Sequence, residues 1–147
     1  MTKEIILTIS GLHATDGETD DPVEVITPAE YFFKNGKHYV IYDEVMEGIE
    51  GSVKSKIKFT ENSVELMRTG AASTRMVFEE EKEHVALYHT PMGPLSISLY
   101  TEKLISSIEE EKIKLEIHYS LKAEEQVITE SSVSIEICPK ELKTFEN

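Results

Sequence analysis

Between Ile113 and Leu121 the chain sets Ile113, Leu115, Ile117, Tyr119 and Leu121 against Lys112, Lys114, Glu116, His118 and Ser120, an apolar–polar rhythm with a period of two. Successive side chains of a strand point to opposite faces, so this rhythm predicts a strand with one buried and one wet face. Shorter runs of the same kind recur along the chain. Ile5, Leu7 and Ile9 predict a first strand ending near Gly11, and Thr15–Pro22 reads as a polar, acidic loop. A second strand starts near Val23, is interrupted by Pro28, an edge or bulge residue because proline cannot donate to a ladder, and resumes through Tyr31, Phe32 and Phe33. Asn35-Gly36 suits the two central positions of a type I′ turn, where φ is positive, and predicts a hairpin joining Tyr31–Phe33 to His38–Val45.

Tyr39–Tyr42 is apolar on both faces and predicts a centrally placed strand. Val53–Phe59, Val64–Arg68, Thr74–Phe78, Val85–His89 and Leu95–Leu99 follow, separated by short turns. Over Thr101–Glu111 a helix competes, with Thr101 as its cap and Leu104, Ile105 and Ile108 at helical spacing, but a strand is preferred. The strand at Ile113–Leu121 and a last one through Val133, Ile135 and Ile137 complete the set. Many short strands in consecutive order favour a barrel over a sandwich, because closure removes exposed edges. The expected fold is therefore all-β: a single antiparallel, mostly up-and-down barrel of about 8–10 strands. It should occupy residues 1–138 and leave 139–147 as a polar tail. An interior of that size holds packed side chains or one small ligand.

Composition narrows the function. With 147 residues and one cysteine, Cys138, the chain needs no staple to fold, and a reducing cytoplasm is the expected compartment. Its apolar runs are far shorter than the roughly 20 residues a membrane helix needs, so no membrane is expected. Fifteen Lys and Arg against 28 Asp and Glu give a net charge of −13, which disfavours nucleic acid and leaves solubility or an acidic docking face for a protein partner.

One ordered set of residues points further. Gly36, Tyr39-Val40-Ile41-Tyr42-Asp43-Glu44, Arg68-Thr69-Gly70, Met76-Val77-Phe78, Tyr88-His89-Thr90-Pro91-Met92-Gly93 and Ile117-His118-Tyr119-Ser120-Leu121 resemble the bacterial YwiB-like family from about Ile5 to Ile137. The resemblance implies a calycin-type, lipocalin-like barrel and supplies no reaction. The family pattern implies an aromatic residue where this chain has Met92, so the resemblance carries no aromatic lid to that turn.

Candidate chemistry centres on Arg68, which continues the apolar face of Val64 and Leu66 and should point inward, where a guanidinium needs a partner. Glu44 continues the Val40–Tyr42 face in the same way, so Arg68 and Glu44 are an expected interior pair with the Tyr42 hydroxyl beside them. Alternatively both snorkel to water at the rim. In the first case Arg68 would hold a carboxylate or phosphate of a ligand, walled by Tyr42, Tyr88 and Tyr119. The five histidines show no metal-ligand spacing, and Asp16, Glu18 and Asp20 imitate a calcium loop that lacks its glycine and closing glutamate. Asp43 and Glu44 face opposite ways in a strand and cannot form a close acid–base dyad, and no nucleophile elbow or phosphate loop occurs. Cys138 reads as a small apolar residue. No catalytic residue, metal or cofactor is therefore expected. The leading expectation is a non-enzymatic binder of a small amphipathic or anionic molecule. The alternatives are an interaction module with a fully packed barrel, and an enzyme of unassigned reaction.

Overall fold

The computed structural model describes residues 3–11, 24–45, 52–70, 73–90, 93–123 and 126–140. They form ten strands: β1 (Glu4–Ser10), β2 (Glu24–Lys34), β3 (Lys37–Val45), β4 (Ser52–Phe59), β5 (Ser63–Gly70), β6 (Ser73–Glu79), β7 (Glu83–Thr90), β8 (Gly93–Ile108), β9 (Ile113–Ala123) and β10 (Gln126–Pro139). Each strand pairs antiparallel with its neighbours in sequence, and β1 pairs with β10 to close the barrel. The expected all-β, up-and-down barrel is the observed one. Asn35 (φ 53°) and Gly36 (φ 77°) turn β2 into β3 in the left-handed region that an Asn-Gly hairpin uses.

The two-residue rhythm sorts side chains into lumen and exterior. Ile5, Leu7 and Ile9 of β1, Ile57 and Phe59 of β4, Leu115 and Ile117 of β9, and Ile135 and Ile137 of β10 are fully or almost fully buried in one apolar cluster that also holds Val64 and Phe78. Outward positions carry charge, as at Lys54, Lys56 and Lys58 on β4 and Lys114 and Glu116 on β9. Among the described residues no helix is long and apolar enough to cross a membrane.

Three local expectations are sharpened or corrected by the pairing. First, Leu95–Leu99 and Thr101–Glu111 do not form separate elements: β8 runs unbroken from Gly93 to Ile108. A bulge between Thr101 and Lys103 inserts one residue against β9, so the inward set passes from Leu99 and Thr101 to Leu104 and Ile108. That single three-residue step is what resembled helical spacing. The β6–β7 turn docks on it, with Glu81 N–H donating to the Thr101 carbonyl at 2.8 Å and Leu104 N–H to Glu80 Oε2 at 3.1 Å. Second, β3 is central, paired with both β2 and β4, and of its two apolar faces only the inward one is buried. Tyr39 and Ile41 face outward and are half-buried, and Tyr39 stacks on Phe32 across the β2–β3 ladder at 4.8 Å between centroids, 9° from parallel. Third, β2 is continuous through Pro28, which pairs with Ile6.

Pro28 nevertheless behaves as an edge residue. The β2–β3 ladder joins Glu30–Lys34 to Lys37–Ile41, and Pro28 lies beyond it. The inward residues of β2, Val25, Thr27, Ala29 and Tyr31, are accordingly only half-buried, unlike those of β1. A proline there leaves no backbone donor unpaired.

Candidate functional site

Residues directly opposite on antiparallel strands share a face, so the register shows which side chains line the lumen together. Tyr42 on β3 opposes Ser55 on β4, Ser55 opposes Arg68 on β5, Arg68 opposes Thr74 on β6, Thr74 opposes Tyr88 on β7, and Tyr88 opposes Leu95 on β8. Tyr42 and Ser55 are buried, so the row faces inward from Tyr42 to Thr74, with Arg68 and Thr74 half-buried on it. One row nearer the barrel's middle, Val40, Ile57, Leu66 and Met76 oppose one another in the same order, all apolar and buried. The lumen thus changes from hydrocarbon to hydroxyl, phenol and guanidinium within one step along the strands, about 6.6 Å.

Arg68 sits two residues before the end of β5, at the barrel end served by the connections β1–β2, β3–β4, β5–β6, β7–β8 and β9–β10. Across two strand spacings its Cα lies about 10 Å from that of Tyr42, with Ser55 between them. None of Tyr42, Ser55 and Arg68 lacks an interaction partner. Glu44 opposes Val53, which is one inward position further toward that end. The side chains of Glu44 and Tyr88, and with them the expected Arg68–Glu44 pair, lie outside the described residues, as do Asp16, Glu18, Asp20 and Met92.

Tyr119 stands apart from this row. It is buried on β9 opposite Thr101 and Ser131, and meets Phe78 edge-on, with centroids 5.1 Å apart and planes at 67°. Phe78 lies four residues along β6 from Thr74, about 13 Å of strand. Ser55 and Thr74, in contrast, join the row without having been singled out from sequence. The available signal was parity: Ser55 interrupts the buried set Val53, Ile57, Phe59 at an inward position, and Thr74 does so before Met76 and Phe78.

The wall opens beside Tyr42. Where the β2–β3 ladder ends, a cleft of about 210 Å³ combines outward Pro28, Ile41 and Asp43 with inward Ile5, Ala29 and Tyr42, and Lys140 borders it. At the opposite end of the hairpin, His38 stacks on Phe59 (4.8 Å, 8°), meets Phe33 edge-on (4.8 Å, 64°), and its Nδ1 lies 2.7 Å from the Tyr31 hydroxyl. Burial lowers the His38 pKa below its usual 6.5 and raises that of Tyr31 above 10.0. A neutral imidazole accepting from the Tyr31 O–H satisfies both groups. Among the described residues no group of three metal-ligating side chains gathers. Cys138 stands in β10 opposite Ile6.

A closed meander barrel with a largely apolar interior and a polar inward row at one end is the class of protein these observations define. The chain belongs to the DUF1934 family, a domain of unknown function, whose pattern matches residues 7–135. It is 30% identical over 117 residues to the uncharacterized β-barrel protein YwiB of Bacillus subtilis (strain 168), covering 80% of each chain. The crystal structure of the YwiB protein from Bacillus subtilis superposes with a TM-score of 0.77 at 25% identity, covering 93% of this chain and 92% of that one. The resemblance read from the sequence, and the barrel it implied, are borne out.

Proposed function

We propose that this chain is a non-enzymatic cytoplasmic protein that binds a small amphipathic or anionic molecule at the Arg68 end of its barrel. The observation that carries the reading is the inward Tyr42–Ser55–Arg68–Thr74 row beside the apolar row Val40–Ile57–Leu66–Met76. Natural cores avoid inward guanidinium groups unless something needs them there, because a buried charge is costly without partners. Arg68 supplies a planar fork matched to a carboxylate or phosphate, and Ser55, Thr74 and the tyrosines add neutral hydrogen bonds. The apolar row behind it suits the hydrocarbon part of an amphipathic ligand. Glu44, one register step further toward that end, belongs to the same site in this reading. Tyr119, placed against Phe78, serves the packed middle of the barrel in this reading.

A thermal-shift and native mass-spectrometry screen of metabolites tests the proposal. A bound ligand at about 100 times its Kd should stabilise the fold by about 2.7 kcal/mol. For any hit, Arg68→Met should abolish most of the shift while leaving the ligand-free melting behaviour close to the parent. Unchanged affinity in that variant would remove Arg68 from the site. Silence across a broad library would favour the second reading, an interaction module with a filled barrel, which the continuous cluster from Ile5 through Phe78 to Ile137 supports.

A further inference from the structure

The exterior carries a basic face that the net charge of −13 conceals. Lys54, Lys56 and Lys58 occupy successive outward positions of β4, and Lys34 and Lys37 flank the β2–β3 turn beside them. Among the described residues none of these five has a carboxylate within ion-pair distance, although acidic residues outnumber basic ones almost two to one. Of the carboxylates in register with them, Glu65 opposite Lys58 is engaged by Arg75 at 2.5 Å, and Asp43 opposite Lys54 is exposed and makes no ion pair with it. Apolar groups are interleaved with the lysines. Tyr39 opposes Lys58, Ile41 opposes Lys56, and Lys56 in turn opposes Met67. Phe32, 39% exposed, extends the apolar strip toward the turn.

We propose that this outer face of β3 and β4 docks an extended, acidic polypeptide segment of a partner protein, with carboxylates on alternate residues and apolar side chains between them. Lysines at positions 54, 56 and 58 repeat every two residues, about 6.6 Å, which is also the repeat of one edge of side chains along an extended peptide. Lysine ammonium groups with no carboxylate of their own are an electrostatic complement to such a segment. A nucleic acid fits less well, since base stacking needs an open aromatic face. Both faces of Tyr39 are taken, one by Phe32 at 4.8 Å and the other by Lys56 Nζ at 6.0 Å from the ring centroid. The site is separate from the lumen row, and the two readings stand or fall independently.

The test is fluorescence anisotropy with a labelled synthetic peptide alternating Glu with Val and Tyr, compared with its Lys-for-Glu counterpart and a short oligothymidylate. The full chain should bind the acidic peptide and not the basic one, and K54E/K56E/K58E should weaken binding at least about tenfold. These lysines point to solvent, so the triple variant should melt like the parent. Should it not fold, K54Q/K56Q is expected to weaken binding about threefold. Equal affinity in the folded variant, or no binding up to about 1 mM peptide, overturns the proposal. Tighter binding of the oligothymidylate than of the acidic peptide overturns it in favour of a nucleic-acid surface.

Discussion

Two glycines with left-handed backbones provide a measurement of how tightly the barrel is closed. Gly11 (φ +91°) is buried just after β1, and a Cβ added there would stand 2.3 Å from the Ser132 carbonyl oxygen of β10. Gly36 (φ +77°) sits in the exposed hairpin turn, where an added Cβ meets nothing within 4 Å. Ala at either position incurs the left-handed penalty, about 1 kcal/mol. Only Gly11→Ala adds a clash, and the clashing atom is backbone, which cannot escape by changing rotamer. Ser132 and Val133 are held by the ladder to His118 and Ile117 of β9. Relief therefore requires β10 to shift, at a further cost of about 1–3 kcal/mol. The expected losses are about 1 kcal/mol for Gly36→Ala and about 2–4 kcal/mol for Gly11→Ala, the latter a large share of a typical stability of about 5–15 kcal/mol. Urea denaturation followed by tyrosine fluorescence and circular dichroism measures both, with m unchanged if the compactness of the two end states is preserved. Equal losses in the two variants would refute the close approach of β1 and β10 at Gly11.

Two further outcomes check the hairpin and the core. Because burial holds the folded-state pKa of His38 below 6.5, its contribution to stability is fully present above about pH 6.5 and is lost as pH falls through the folded value. His38→Phe should therefore flatten the decline in unfolding free energy between about pH 7.5 and 5, measured by urea titration at each pH; an unchanged slope would exonerate His38. In a double-mutant cycle of Phe78→Leu and Tyr119→Leu, the edge-to-face contact should appear as a coupling of about 0.5–1.5 kcal/mol, and additive losses would place Tyr119 outside the packed core.

Sequence parity carried the architecture because a strand's faces repeat every two residues whatever its neighbours do. It placed Ile5, Leu7 and Ile9, or Ile113 to Leu121, without reference to pairing. Its errors fall where pairing intervenes. The bulge near Glu102 changes the inward parity of β8, which no single-strand pattern reveals. The outward stack of Tyr39 on Phe32 makes β3 apolar on both faces although only one is buried, since cross-strand aromatic contact and true burial select the same residue types. Pro28 marks the edge of the β2–β3 ladder without interrupting β2, and the cleft it borders depends on where β3 stops pairing with β2, a tertiary fact.

The same distinction governs the two candidate surfaces. Arg68 was legible because one strand, Val64-Leu66-Arg68, contains the whole signal of an inward cation. Its companions Ser55 and Thr74 are legible only through register, since a small hydroxyl residue on an apolar face is unremarkable until it opposes a guanidinium. Net charge fails for the complementary reason. It sums over faces that never meet a partner together, so −13 spread over the chain says nothing of β4, whose outward positions Lys54, Lys56 and Lys58 include no acid at all. At physiological salt charges more than about 8 Å apart are largely screened from one another across solvent. A docking segment lying on β4 therefore responds to those lysines and to their cross-strand neighbours Asp43 and Glu65 far more than to carboxylates on the far side of the barrel, and an overall acidic chain can still present a locally basic surface.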